Sequence, residues 1–493
     1  MTISTSTPQS TTQPIKDLLA AAELPLCVDV DGTLLRTDLL YESVCALLRH
    51  RPLDSWRIPL WLLKGKAVLK RELAARVELD PAKLPYHEEV LAFLKSEHQR
   101  GRKVFLASAS DEKFVTPIAQ HLRCCDGVFA SNGTINLAGE RKRDALNDHF
   151  GKGGYAYAGN DSVDLPVWRD AGSRIVVSSN ARVIEQARQE FELDKVFPGG
   201  GKHSVAVVLK ALRVHQWVKN LLLFLPVIMA HMVFEIESLL AIVAGFFAFS
   251  TCASSVYLLN DLVDLEADRV HRSKRNRPFA SGTLPLIFGF LAVPVLLAIS
   301  LSLSLLLPLG FLVVLSIYYV TTMAYSFGLK RVVLLDIITL ALLYAVRVLA
   351  GGQAAQVPVS QWLLAFSLFM FVSLAAVKRF SELYALRAQN RPKTEGRGYL
   401  AEDLDQIAQF GSASGYISVL VMALYVSSAD VTKLYSHPQA LWLVCPVLLY
   451  WVSRVWLLAH RGQMDEDPIV FALRDRVSYV VGALILAMVF IAM

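Results

Sequence analysis

The chain is poor in cysteine and in charge. Six cysteines are spread over 493 residues, at 27, 45, 124, 125, 252 and 445. None has the spacing of a metal cluster or a disulfide framework, which fits reduced thiols and excludes a cysteine-held scaffold. Acidic and basic residues make up 19% of the chain against 54% hydrophobic. The start, "MTISTSTPQSTTQP", lacks a basic stretch leading into an apolar core, so no signal peptide is expected. Its polar composition predicts disorder over residues 1–19. A basic stripe interleaved with base-stacking aromatics is also missing, so the net charge of +6 calls for no nucleic-acid partner.

Long apolar blocks are present from about Leu221 onward. About 20 apolar residues cross a bilayer. Nine blocks approach that length: 217–234, 239–259, 285–305, 309–327, 332–350, 361–378, 410–428, 440–459 and 477–493. Lys and Arg favour cytoplasmic loops. The loops after the second, fourth, sixth and eighth blocks are basic, whereas those after the odd-numbered blocks hold one Lys in total, Lys433. This alternation predicts a multi-pass membrane protein with its N-terminal half and basic loops in the cytoplasm; the membrane expected is the bacterial cytoplasmic (inner) one.

Residues up to about 200 read as a soluble α/β domain. "LPLCVDVDGTLL" is an apolar strand ending in Asp29 and Asp31, which share a face because strands alternate. Paired carboxylates at a strand's carboxyl end suit Mg²⁺ binding, and one of them suits attack on phosphorus. "KVFLASAS" ends a second strand in hydroxyls, so Ser108 could bind a phosphoryl oxygen, while Lys142 could neutralise developing charge. A third strand ends in Asn160, Asp161 and Asp164.

Residues 20–200 resemble the haloacid-dehalogenase (HAD) phosphohydrolase superfamily, whose D-x-D-G-T motif stands here as Asp29-Val30-Asp31-Gly32-Thr33. The resemblance implies a Rossmann-like domain with Asp29 as nucleophile, Asp31 as general acid/base, and Ser108 and Lys142 as the second and third motifs. Asp29, Asp31 and Asp164 would be the metal ligands. The fourth motif departs: Gly159-Asn160-Asp161-Ser162-Val163-Asp164 carries Asn at its first acid, unless Asp161 takes that role. A helical insertion over about 38–100 would be the cap. Within it, "WRIPLWLLKGKAVLK" suits either a membrane surface or the cap's own core.

The run "NDLVDLEADRVHRSKRNRP", residues 260–278, follows the second apolar block. On one continuous helix, Asp261, Asp264 and Asp268 would fall within about 60° of each other. Three such carboxylates invite a divalent cation, and Mg²⁺ completes its shell with substrate phosphates. Lys274, Arg275 and Arg277 could hold the remaining phosphate charge.

The pattern N-D-x-x-D-x-x-x-D, beginning at Asn260, resembles the UbiA superfamily of intramembrane transferases, which implies an all-α bundle of nine membrane helices over 201–493. The family's second acidic motif is replaced by Lys378, Arg379 and Glu382. "VHQWVKN", "DRVHRSKRNRP", "YAVRVLAGG", "KRFSEL" and "EDPIVFALRDR" together resemble one branch, the decaprenyl-phosphate phosphoribosyltransferases. That branch implies Mg²⁺-dependent transfer of 5-phosphoribosyl from phosphoribosyl diphosphate (PRPP) to a polyprenyl phosphate. The HAD-like half would then remove the product's 5-phosphate, in the service of cell-wall or glycan precursor synthesis. Two alternatives stand beside it: a prenyltransferase with another acceptor, and a transferase carrying an inactive HAD-like regulatory module.

Several residues keep two readings. Lys219 is a phosphate ligand or a membrane-edge anchor. Arg347, within a membrane segment, contacts phosphate or forms a network with Asp336, eleven positions before it on the same face. Lys378 pairs with Glu382 or touches substrate.

Overall fold

The computed structural model describes residues 24–132, 135–199, 204–389, 392, 397–428, 431, 435–464, 468–472 and 474–493. The expected disorder over 1–19 lies outside them. The chain forms two compact units: Met1–Leu212 with Tyr257–Ala292, and Arg213–Val256 with Val293–Met493. The acidic run at 260–278 therefore belongs to the first unit, although the sequence had set it in a second domain beginning at 201.

The first unit is built on a six-stranded, wholly parallel sheet. Its strands are β1 (Leu26–Val28), β2 (Val104–Asp111), β3 (Gly127–Ser131), β4 (Ala156–Gly159), β5 (Ser173–Val177) and β6 (Lys195–Phe197), in the order β3-β2-β1-β4-β5-β6. Alternation along β1 sends Leu26 and Val28 into one core, with Val104, Leu106 and Leu94, and Cys27 into another, with Tyr157, Val176 and Trp168. Fully burying each such side chain stabilises the fold by roughly 1.5–3 kcal/mol. Strand order reverses between β1 and β4, and open α/β sheets bind ligands at that crevice. Between β1 and β2 run the helices Leu39–His50, Ile58–Leu63, Lys66–Ala74 and Glu88–Gln99. The last of these feeds β2, so the insertion proper ends before it.

Among the described residues, seven helices are long and apolar enough to cross a membrane: Ile236–Val263, Leu286–Ser304, Leu309–Phe327, Leu335–Ala354, Gln361–Ala388, Ala401–Val426 and Pro438–His460. Nine were expected. The first expected block is a 3-10 segment, Val214–Phe224, followed by the five-residue helix Leu225–Met229 with Pro226 in its first turn. The last is the 17-residue helix Arg476–Ala492. Helices of the second unit approach closely at small residues, as membrane bundles do. A Cβ on Gly351 would lie 1.9 Å from the Leu223 carbonyl oxygen, and one on Gly411 would lie 2.2 Å from the Trp456 ring.

Candidate active sites

The first site lies at the carboxyl ends of β1, β2 and β4. Asp29 is 6% exposed, and its Oδ1 accepts from Lys142 Nζ at 2.6 Å. Lys142, on helix Glu140–Phe150, also donates to Tyr157 Oη at 2.9 Å and lies 3.7 Å from Asp164. Asp31 Oδ2 accepts from Ser108 Oγ at 3.0 Å and Ser110 Oγ at 2.7 Å, and its Oδ1 from the Leu39 amide at 2.8 Å. The turn between the two acids needs Gly32: its φ is +79°, and a Cβ there would meet the Asn160 side chain at 2.2 Å.

Burial pushes the Asp29 carboxyl up to about 7, against the opposing pull of Lys142. Burial together with the charge of Asp31 raises Asp38, which caps helix Leu39–His50, to about 7. Burial alone would lower Lys142, but Asp29 and Asp164 outweigh it, so the ammonium is held above its ordinary range.

All five residues that the sequence assigned here come together. Ser108 has a task not foreseen, since its buried hydroxyl is directed at Asp31. Asp161 does not replace the missing acid: its carboxylate caps Ser162 at the surface, while Asn160 Oδ1 accepts from Thr33 Oγ1 at 3.2 Å. Asp164 receives the amides of Asn160 and Asp161 and the Tyr157 hydroxyl. The sequence reading missed Ser110, Tyr157 and Lys70, whose Nζ reaches the Ala109 carbonyl at 2.6 Å. Ser110 was findable, because it lies two residues along the same strand face as Ser108.

The acidic run is arranged differently from the single helical face expected. Helix Ile236–Val263 ends after Asp261, and Asp264 (φ −91°, ψ 11°) starts the short helix Leu265–Val270. The break divides the acids. One nitrogen, Arg277 Nη1, lies 3.0 Å from Asp261 and 2.5 Å from Asp268. Asp264 instead meets Arg49 at 3.1 Å. Burial holds the Asp268 carboxyl above its usual range. Lys274 and Arg275 are exposed, and Arg277, a candidate phosphate ligand, pairs with both Asp261 and Asp268. Asn260 is half-buried on the last turn of the long helix.

Helix Leu39–His50 grips this segment. Glu42 takes both guanidinium nitrogens of Arg269, at 2.5 and 3.0 Å, and accepts from Thr37 at 2.7 Å. Lys83 reaches Glu266 at 2.6 Å. Glu42 and Arg269 side chains are 4% and 9% exposed. Glu42→Ala would strand a buried guanidinium, so we expect a loss of about 3–5 kcal/mol, read as a lowered chemical-denaturation midpoint. An unchanged midpoint would show that the pair contributes no net stability.

Among the described residues no group of three or more His, Cys, Asp or Glu is spaced to hold a metal ion. Mg²⁺ needs only one or two carboxylates when substrate phosphates and water complete its shell. The Asp261–Asp268 pair meets that requirement, since one nitrogen already touches both. Asp29 and Asp31 supply hard oxygens of the same kind.

The second unit holds a separate cationic site. Arg347, on helix Leu335–Ala354, is 4% exposed. Its Nε donates to Asn220 Oδ1 at 2.9 Å, Nη2 to Tyr318 Oη at 3.3 Å, and Nη1 to the Leu343 carbonyl. The rings of Phe249, Tyr318 and Tyr344 lie 5.0–5.4 Å from its guanidinium carbon. Lys219, 8% exposed, faces the same Tyr344 ring at 5.8 Å. Among the described residues, the contacts of Arg347 are all neutral.

The network with Asp336, the alternative reading of Arg347, is not formed. Asp336 pairs with Arg379 instead, and the two side chains are 0% and 1% exposed. Arg379 also donates to Glu382 at 2.5 Å and to Tyr325 Oη at 3.1 Å. Arg379, a candidate substrate ligand, is tied here to Asp336, Glu382 and Tyr325. Glu382 takes Arg379 and Arg397. Lys378 is half-buried.

Helices of membrane-spanning length, an acid-rich run where the first of them ends, and the buried side chains of Arg347 and Lys219 fit a membrane-embedded transferase. The chain belongs to the UbiA prenyltransferase family, whose profile matches residues 221–474. It is similar to the "Uncharacterized protein y4nM" of Sinorhizobium fredii, 37% identical over 473 residues that cover 96% of this chain and 91% of that one. It is also similar to the decaprenyl-phosphate phosphoribosyltransferase of Mycolicibacterium smegmatis, 30% identical over 57% of this chain and 90% of that one. A solved UbiA homologue from Archaeoglobus fulgidus bound to GPP and Mg²⁺ is 16% identical and covers 57% of this chain and 99% of that one, with a TM-score of 0.45.

Proposed function

We propose that the chain transfers 5-phosphoribosyl from PRPP to a polyprenyl phosphate, and that its α/β unit hydrolyses the 5-phosphate of the product. The carrying observation is the buried Arg347, a cation held by neutral partners inside a membrane bundle. A guanidinium so placed calls for an anionic substrate. This reaction brings two anions, a diphosphate and a lipid phosphate, and the chain has two means of meeting them. Asp261 and Asp268 would hold Mg²⁺, which would neutralise the diphosphate leaving group, while Asp264 is turned to Arg49. Lys219 and Arg347 would take the lipid phosphate without metal. The similarity to a decaprenyl-phosphate phosphoribosyltransferase supports this reading.

In the transfer step a lipid phosphate oxygen attacks the anomeric carbon of the ribose. The bond from that carbon to the diphosphate oxygen breaks, and diphosphate leaves. The protein aligns two anions that would otherwise repel. In the second step the Asp29 carboxylate attacks the 5-phosphorus, the ribose oxygen leaves with a proton from Asp31, and water then releases phosphate from Asp29. Joining both steps in one chain raises the effective concentration of the intermediate. The basic loops would put both steps on the cytoplasmic side of the bacterial inner membrane.

The direct test is incubation of purified chain with ribose-labelled PRPP, polyprenyl phosphate and Mg²⁺. A labelled lipid is expected. Lipid labelled only when a prenyl diphosphate and another acceptor are supplied would favour an ordinary prenyltransferase. One observation favours an inactive α/β unit, a regulatory module: Asn160 stands at the first acid of the fourth motif and lies against Thr33.

The Asp29 environment gives a pH-dependent prediction. Its folded pKa is raised, to about 7, so stability from its protonated form is present at low pH and is lost as pH rises through about 7. A divalent cation binds the ionised form. Mg²⁺ should therefore raise the thermal midpoint more at pH 8 than at pH 5.5, and the difference should vanish in Asp29→Asn. Equal shifts in the parent chain at both pH values would contradict the assignment of Asp29 as a ligand.

A further inference from the structure

The stretch "RPLDSWRIPLWLLKGK", residues 51–66, forms a 3-10 turn (Pro52–Arg57) and a short helix (Ile58–Leu63) on the first unit. Only one of its large side chains is buried: Trp61, 7% exposed, lies under the Arg76 guanidinium at 4.6 Å. Leu53 is 87% exposed, Trp56 63%, Leu60 48%, Leu62 51% and Leu63 85%. Five large apolar side chains within eleven residues face outward while the two cores of this unit close without them. Apolar surface gathered in this way marks an interaction site rather than ordinary scatter.

Its rim is basic. Arg51, Arg57, Lys64 and Lys66 are exposed, and the one acid of the stretch, Asp54, is half-buried. Arg57 lies over the Trp56 ring at 5.4 Å. Leucine and tryptophan on a surface edged with Lys and Arg is the composition of segments that lie in a membrane interface, where the ring sits at headgroup level and the cations meet anionic lipid. Among the described residues the same chain carries seven helices of membrane-spanning length, so its own bilayer is available as a partner.

We propose that residues 51–66 form a lipid-docking surface that rests on an anionic bilayer, with Leu53, Trp56, Leu60 and Leu63 entering the headgroup region and Arg51, Arg57, Lys64 and Lys66 meeting lipid phosphates. This surface holds the α/β unit at the membrane, where a lipid-linked phosphate ester would be presented. It rests on membrane embedding alone and stands whether or not PRPP is the donor.

The test uses the full chain in nanodiscs, with Leu63→Cys labelled by an environment-sensitive fluorophore. The label replaces a side chain that carries no core packing. Parent chain treated alike gives the background from the native thiols, four buried and two half-buried. Gln189→Cys, on an exposed helical face, serves as the water-facing control. In phosphatidylglycerol-containing discs the label at 63 should emit to the blue of the control and be quenched by spin-labelled lipid. Lys64→Glu with Lys66→Glu should remove most of that shift. Emission at 63 equal to the control overturns the proposal. So does a shift already present in detergent that grows with protein concentration, which would assign the face to a second copy. Equal shifts in phosphatidylcholine and phosphatidylglycerol discs would overturn the anionic-lipid assignment.

Discussion

Asp29→Asn should lower phosphate release by the α/β unit on the order of 10⁴-fold or more, because it removes the nucleophile itself. The substitution is nearly isosteric. The amide can still pack beneath Thr33 and accept from Lys142, which lies 2.6 Å from Asp29 Oδ1. What it lacks is the anionic oxygen that forms the aspartyl-phosphate. Fold loss is checked separately, since the thermal midpoint should stay within a few degrees of the parent. Lipid labelling from PRPP should be unchanged, so that the 5-phosphorylated lipid accumulates. If parent and variant release phosphate equally, the α/β unit is not a phosphohydrolase acting through Asp29. Asn160 would then mark a regulatory module.

Arg347→Gln should cost the transfer reaction about 10²–10³-fold in kcat/KM, the loss expected when one preorganised donor to an anion is removed from a dry site. Arg347→Lys should recover part of it, since charge returns without the planar fork. Stability separates this role from a structural one. The contacts of Arg347 are Asn220, Tyr318, the Leu343 carbonyl and aromatic rings, so removing its charge strands no carboxylate. Arg379→Gln should behave in the opposite way. It leaves Asp336 buried without its cation, and we expect roughly 3–5 kcal/mol of destabilisation, with residual activity scaling with folded protein. Equal destabilisation by both variants would make Arg347 a packing residue.

Some of this was legible in the sequence. The alternation through "LPLCVDVDGTLL" foretold β1 and its two acids, and the sheet places them at the reversal of strand order. Membrane helices were legible where apolar length was unbroken. The block at 217–234 failed as one helix because Pro226 lacks an amide and the chain takes a 3-10 path before it. The acids at 261, 264 and 268 do not share the one face expected of them. A helical wheel assumes a continuous helix, and Asp264 interrupts this one. The face shared by Arg347 and Asp336 was read correctly, but their partners come from neighbouring segments, which sequence periodicity cannot reveal. Glu42 and Arg49 were invisible for the same reason: their partners lie more than 200 positions away.

A single double-label measurement reads both steps. PRPP carrying ³H in the ribose and ³²P in the 5-phosphate is incubated with polyprenyl phosphate, Mg²⁺ and the full chain, and the lipid extract is followed over time. Both labels should enter the lipid together, and ³²P should then leave as inorganic phosphate while ³H remains. In Asp29→Asn both labels should stay. Failure of ³H to enter lipid would contradict the proposed transfer, and constant ³²P:³H in the parent chain would contradict the hydrolytic step.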